Sequence, residues 1–300
     1  MTADQISRHR LGIAAMLLCT LLWSTAGVVT RLSDVSNGWE TTFWRSLFCV
    51  LFVGGAMLIR DPVHAMRKIG AMGWAGAVSA LCWTAMFTFF MLALSRTTVA
   101  NVLVMMATQP FLAAIAGWLL LGERVPARTW IAMLCAGAGI AMMFADAMDT
   151  GNAEGSLLAL MVPVASVINL MLLKRTGARV DLVPALLLGA ILSLFVTVAY
   201  ALPFTAGAKD LALYAFLGAF QLAIPCTLFA SFVVKRLSAA EIGLLSLLEL
   251  ILGPTWAWLG SGENPGTAAI TGGAVVIAAL AFNEAIGLYS ERTRTISGRE

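Results

Sequence analysis

From residue 11 onward the chain alternates apolar runs of about twenty residues with short polar breaks. Twenty residues of helix rise about 30 Å, the thickness of a bilayer's hydrocarbon core. The runs fall near 11–30, 41–59, 70–94, 99–121, 127–145, 155–173, 182–202, 211–234, 242–260 and 267–288, which predicts ten transmembrane helices. The breaks carry residues that end or cap helices: Ser36-Asn37-Gly38, Arg60-Asp61-Pro62, Gly122-Glu123-Arg124, Thr150-Gly151-Asn152 and Gly262-Glu263-Asn264-Pro265. Only Ser95-Arg96-Thr97-Thr98 separates the third run from the fourth.

Charge placement tests this division, because cytoplasmic loops of membrane proteins are enriched in Lys and Arg. With the N-terminus inside and ten spans, the inner segments hold Arg8, Arg10, Arg60, Arg67, Lys68, Arg124, Arg128, Lys174, Arg175, Arg179, Lys235, Arg236, Arg292, Arg294 and Arg299. The outer segments hold Arg31, Arg96 and Lys209, a ratio of 15 to 3, and Arg45 lies within a span. A miscount by one helix scrambles the tally, so both termini are expected in the cytoplasm of an inner (plasma) membrane.

Composition agrees. At 60% hydrophobic and 12% charged residues, with a mean hydropathy of +0.89, the chain has about half the charge a soluble surface needs. Cys19, Cys49, Cys82, Cys135 and Cys226 all lie in apolar runs and read as small buried hydrophobes rather than a disulfide framework. His9 and His64 lie far from any cysteine, which argues against a metal site. The first run reads as an uncleaved helix rather than a signal peptide, because it reaches about twenty residues and further spans follow. No cofactor and no nucleic-acid partner is expected; the partners are the lipid bilayer and a small-molecule substrate.

The chain also matches itself. At a shift of 140, Thr98–Asn101 lie over Ser238–Glu241, Gln109 over Glu249, Trp118 over Trp258, and Gly122-Glu123 over Gly262-Glu263. Near a shift of 143, Gly12 meets Gly155 and Arg31 meets Lys174. The expected organisation is two five-helix repeats, 1–150 and 151–300. Five is odd, so the second repeat enters the membrane inverted, an architecture of transporters with the site near the midplane between repeats. One chain then holds a complete transport path, so a monomer suffices.

Leu119-Leu120-Leu121-Gly122-Glu123, Arg45 early in the second span, Pro110 in the fourth and Ser246-Leu247-Leu248-Glu249 in the ninth give the chain a family resemblance. It resembles the EamA branch of the drug/metabolite transporter superfamily over nearly its whole length, and its ninth span is most similar to amino-acid exporters of the YddG type. Two departures stand out. Leu250, not proline, follows Glu249, with proline at Pro254; and Trp23 of the first repeat meets Ser166 in the second. The resemblance implies an all-α fold that exports small metabolites.

Candidate substrate residues follow from depth. A charge inside a span costs about 2.5–3.5 kcal/mol to insert, so Glu249, near the middle of the ninth run, is a functional candidate for meeting an amine or a proton. The alternative is a protonated acid bridging two helices. Ser246 and Gly253 share its stripe. Gln109 is its repeat partner, beside a mixed stripe of Thr98, Asn101, Met105 and Thr108 that either lines a cavity or joins helices. Trp23 and Trp83 are too deep for a headgroup belt and suit stacking on an aromatic or cationic solute, or filling the bundle. Trp39, Trp44, Trp74, Trp118, Trp130, Trp256 and Trp258 sit near span ends, as a belt requires. Pro110, Pro163, Pro225 and Pro254 interrupt spans and mark kinked, movable helices. Ser166, Asn169 and Gln221 are further lining candidates. Arg45 is expected in a gating or structural role, snorkelling to the headgroups or pairing with Asp34 or Glu40.

Other functions fit less well. No Gly-x-Ser-x-Gly frame, His-Glu-x-x-His or phosphate-binding loop occurs, so an enzyme or an ATP-driven pump is not expected. Polar residues are too sparse for a channel's continuous line, and no appended domain suggests a receptor. The expected activity is secondary transport, chiefly of amino acids including aromatic ones, with other amphipathic or cationic metabolites, drugs or sugars as the alternative.

Overall fold

The structure is a computed structural model that describes residues 3–60, 67–122, 125–149, 153–176, 182–233, 236–237 and 239–297. Glu123, Arg124, Arg179, Lys235 and Arg299 lie outside this set, as do the side chains of Lys174, Arg175, Arg292 and Arg294. Among the described residues all regular structure is helical. An apolar medium offers the backbone no hydrogen bonds, so each segment must satisfy its own.

The helices run in order as α1 (Ala3–Ser24), α2 (Ala26–Arg31), α3 (Gly38–Arg60), α4 (Gly73–Leu94), α5 (Val99–Met106), α6 (Gln109–Leu121), α7 (Ala127–Asp149), α8 (Ala153–Thr176) and α9 (Leu182–Ala201). They continue as α10 (Ala208–Phe216), a π-helical stretch π1 (Leu217–Ala223), α11 (Ile224–Leu228), a second π stretch π2 (Phe229–Val233), α12 (Ala239–Ser261) and α13 (Thr267–Ser297). Among the described residues seven stretches are long and apolar enough to cross a membrane: Arg8–Arg31, Gly38–Ile59, Gly73–Leu94, Val99–Leu121, Ala153–Leu172, Val183–Ala201 and Ala208–Val233. Ala127–Met142 and Thr267–Asn283 are shorter apolar helices. The chain is therefore an all-helical, multi-pass membrane protein.

Small residues let the helices approach closely and fix their directions. The Thr84 hydroxyl donates to the Gly189 carbonyl at 3.0 Å, and four residues on in both helices the Thr88 and Ser193 hydroxyls are 3.5 Å apart, so α4 and α9 run the same way. The Ser46 hydroxyl donates to Ser193 at 3.1 Å while Gly54 faces Leu187, so α3 runs opposite to α9. Gly155, at the start of α8, lies against Arg96 and Thr97 beyond the end of α4, which makes those two helices antiparallel.

Among the described glycines, the closest approach to another helix's backbone is at Gly218 in π1. A Cβ there would stand 2.6 Å from the Arg45 carbonyl oxygen and 2.8 Å from the Cys49 amide nitrogen, both backbone atoms of α3 that cannot turn aside. Gly218→Ala is expected to destabilise the fold by about 1–3 kcal/mol, the usual cost of overpacking. A lowered melting temperature in detergent checks it; an unchanged one refutes the packing.

Candidate functional site

Three of the helical rods are interrupted at mid-course, and the local chemistry says why. Between α1 and α2, the Ser24 and Thr25 hydroxyls donate back to the Leu21 and Leu22 carbonyls at 2.8 and 2.6 Å, competing with the backbone ladder. Between α5 and α6, Pro110 has no N–H for the Met106 carbonyl, and the Thr108 hydroxyl takes the Met105 carbonyl at 2.8 Å. The third rod changes to π geometry on both sides of α11, which carries Pro225. Such π turns leave carbonyls poorly satisfied and occur often at functional sites. By contrast, α8 and α12 pass through Pro163 and Pro254 as continuous helices.

α12 packs on α1, α2 and α5, across two of these breaks. A Cβ on Gly253 would run into Leu103 and stand 3.7 Å from the Ser24 carbonyl oxygen, and the Trp256 indole N–H donates to the Ser24 hydroxyl at 3.1 Å. Trp256, assigned from sequence to the headgroup belt, is thus a partner of the helix break. One turn before Gly253, Glu249 stands in the middle of the 23-residue α12. It is partly buried, and among the described residues nothing donates a hydrogen bond or ion pair to it. Cys226 of α11 is within its electrostatic reach. Ser246 is engaged, donating to the Ile242 carbonyl at 2.8 Å.

Arg45 corrects an expectation. It does not snorkel and does not pair with Asp34 or Glu40. It is 3% exposed, and its Nη2 donates to Gln221 Oε1 of π1 at 2.9 Å. Its guanidinium carbon lies 5.7 and 5.6 Å from the rings of Phe87 and Phe90, and its Nε is buried with no acceptor. Asp34 instead meets Lys209 at 2.9 Å, and Glu40, fully buried, accepts from the Thr205 and Ala206 amides at 2.8 Å each. The sequence could not show this, because the acceptor on Arg45 lies 176 residues away.

A connected group results. Gln221 Nε2 donates to the Trp23 carbonyl at 3.5 Å, Trp23 packs at a tilt on Phe229 at 5.6 Å, and Trp83 packs on Phe87 at 5.5 Å with its indole N–H unpartnered among the described residues. Trp23 thus joins Arg45 through Gln221, and Trp83 joins it through Phe87. Asn169 is buried with an unpartnered Oδ1, and the antiparallel register of α4 and α8 sets it level with Cys82 and Trp83. Other candidates do not join. Met105 is fully buried in the core, Gln109 and Pro110 are exposed, and Ser166 is partly buried with no contact to this group given. Cys135, read as buried, is exposed on α7.

One end of the bundle is sealed. Arg31 pairs with Glu263 and donates to the Leu94 and Thr97 carbonyls at 2.8 and 2.5 Å, while Glu263 accepts from the Val99 amide at 2.6 Å. Beside it, Asp210 accepts from the Ser33 hydroxyl and the Asp34 amide at 2.9 Å each, and Arg96 meets Glu154 at 3.3 Å. Among the described residues no cluster suited to a metal ion occurs.

Residues 10–145 match the EamA-like transporter family. That matched segment makes up a little under half of the chain. An uncharacterized transporter of Bacillus subtilis, YwfM, is 27% identical over 150 residues, which is 48% of this chain and 49% of that one. The match thus spans about half the length of that relative. A crystal structure aligns with a TM-score of 0.64 over 94% of this chain and 99% of its own at 17% identity, a likeness of fold.

Proposed function

We propose that this transporter works by alternating access between two inverted five-helix repeats, ten spans in all, and exports amino acids including aromatic ones. The observation that carries this reading is Glu249, an acid at mid-helix with no hydrogen-bond or ion-pair partner among the described residues, on a helix packed against the interrupted α1–α2 rod. An uncompensated charge at that depth is costly unless a solute or proton meets it.

The packing supports the repeat. Gly155 lies against Arg96 and Thr97, and Gly12 lies against Arg236 and Leu237. The contacted pairs differ by 140 (236 − 96, 237 − 97) and the glycines by 143 (155 − 12), the two shifts at which the sequence matches itself. Two similar halves can exchange conformations of comparable energy, which is what alternation requires. The Arg31 end is the outer one by charge distribution. Both termini then face the cytoplasm of an inner membrane.

Purified protein in liposomes preloaded with phenylalanine is expected to take up labelled phenylalanine by saturable counterflow, with glucose and uridine failing to compete. Saturable flux of glucose or uridine alone would refute the substrate class. Currents without saturation would refute the carrier.

A further inference from the structure

Two ionisable groups of opposite sign lie deep in this bundle, and neither has an ion-pair partner among the described residues. Glu249 has no hydrogen-bond or ion-pair partner among the described residues. Arg45 is 3% exposed, and its one hydrogen-bond acceptor is the neutral Gln221 side-chain oxygen. The nearby carboxylates are committed elsewhere: Asp34 to Lys209, Glu40 to the Thr205–Ala206 backbone, and Asp210 to Ser33 and Asp34. A buried guanidinium with no anion beside it is incomplete, because its five donors form a fork suited to a carboxylate.

The two poles do not pair with each other among the described residues, yet both connect to the break between α1 and α2: Gln221, on Arg45, donates to the Trp23 carbonyl, and Ser24 accepts from Trp256 of α12, the helix that carries Glu249. The wall around Arg45 is aromatic: Phe87 and Phe90 flank the guanidinium, and Trp83 packs at a tilt on Phe87 with its own N–H lacking an acceptor among the described residues. Donors in want of an acceptor therefore gather at the Arg45 side and an acceptor in want of a donor stands at Glu249. A purely cationic solute would leave Arg45 uncompensated, and a purely anionic one would leave Glu249 so.

We propose that Arg45 is the carboxylate-binding pole of the substrate site and Glu249 its ammonium-binding pole, so that the transporter selects zwitterions by requiring both charges at once. This rests on the amino-acid reading above and assigns a recognition role to a residue that otherwise only joins helices. Gln221 is then a positioning residue. It holds one edge of the guanidinium and, through the Trp23 carbonyl, ties it to the break between α1 and α2.

The test is a counterflow competition series in proteoliposomes using phenylalanine, phenylalanine amide (no carboxylate), N-acetylphenylalanine (no ammonium) and phenethylamine. Phenylalanine is expected to compete at least 10-fold better than the other three in the unaltered protein. In Arg45→Gln the preference for phenylalanine over its amide should collapse to within about 2-fold, and Arg45→Lys should restore part of it. In Glu249→Gln the preference over N-acetylphenylalanine should collapse while that over the amide persists. A purely structural Arg45 would change expression or melting and leave these ratios intact. Unaltered protein that carries phenylalanine without discriminating against the amide refutes the two-pole site even if Arg45→Gln cannot be purified. Absence of phenylalanine counterflow alongside saturable flux of another solute class refutes the amino-acid reading itself.

Discussion

Glu249→Gln is expected to lower kcat/KM for transport by about 10- to 100-fold while leaving the melting temperature in detergent unchanged or raised. The size comes from the loss of one charge-assisted interaction with the substrate, about 1.5–3 kcal/mol, at 1.4 kcal/mol per tenfold. The sign on stability comes from the structure. Among the described residues Glu249 makes no hydrogen bond or ion pair, so glutamine removes no such tie of α12 to α1, α2 or α5. Those helices are joined by Gly253 against Leu103 and Trp256 on Ser24, which the substitution leaves alone. The competing role, a protonated acid bridging two helices, predicts the reverse: a clear drop in melting temperature with flux falling only as folded protein falls. Flux per folded molecule, with melting measured on the same sample, separates the two. Equal flux per molecule would remove Glu249 from the site.

What could be read in advance depended on how local the cause was. Spans were legible because the bilayer imposes about twenty apolar residues on any crossing helix. The break before Pro110 was legible too, since a missing N–H is a property of one residue. The break at Ser24–Thr25 went unread because it comes from hydroxyls bonding back to carbonyls, which serine and threonine do in many unbroken helices. Pro163 and Pro254 lie within continuous helices, since proline in a membrane helix need not end it when neighbours absorb the distortion. Glu249 stood out by depth alone. The fate of Arg45 did not, because position along a span cannot reveal a partner such as Gln221 from the other half of the chain. Met105 illustrates the same limit from the apolar side; its stripe is inward-facing, but inward here means core rather than cavity.

The second large effect is expected at the sealed end. Arg31 joins three parts of the chain there: the segment after α12 through Glu263, the end of α4 through the Leu94 carbonyl, and the loop before α5 through the Thr97 carbonyl. Glu263 and Arg31 are largely screened from solvent, with side chains 14% and 27% exposed, so the pair is stronger than a surface ion pair. Hydrogen bonds to charged groups contribute about 1.5–3 kcal/mol. Losing about 2 kcal/mol from one state of a two-state carrier shifts its populations roughly 30-fold. Arg31→Gln is therefore expected to favour the state open at this end and to slow net flux, since each cycle needs both states. Locking the end shut should stop the cycle altogether. In a Cys135→Ser background, which removes the exposed thiol, Arg31→Cys and Glu263→Cys can be bridged by a thiol-cleavable bis-methanethiosulfonate reagent. Bridged protein should lose nearly all counterflow and recover it on reduction, with each single variant unaffected by the reagent. Bridged protein that transports at the unbridged rate would mean that this end does not open during transport, and alternation across it would have to be abandoned.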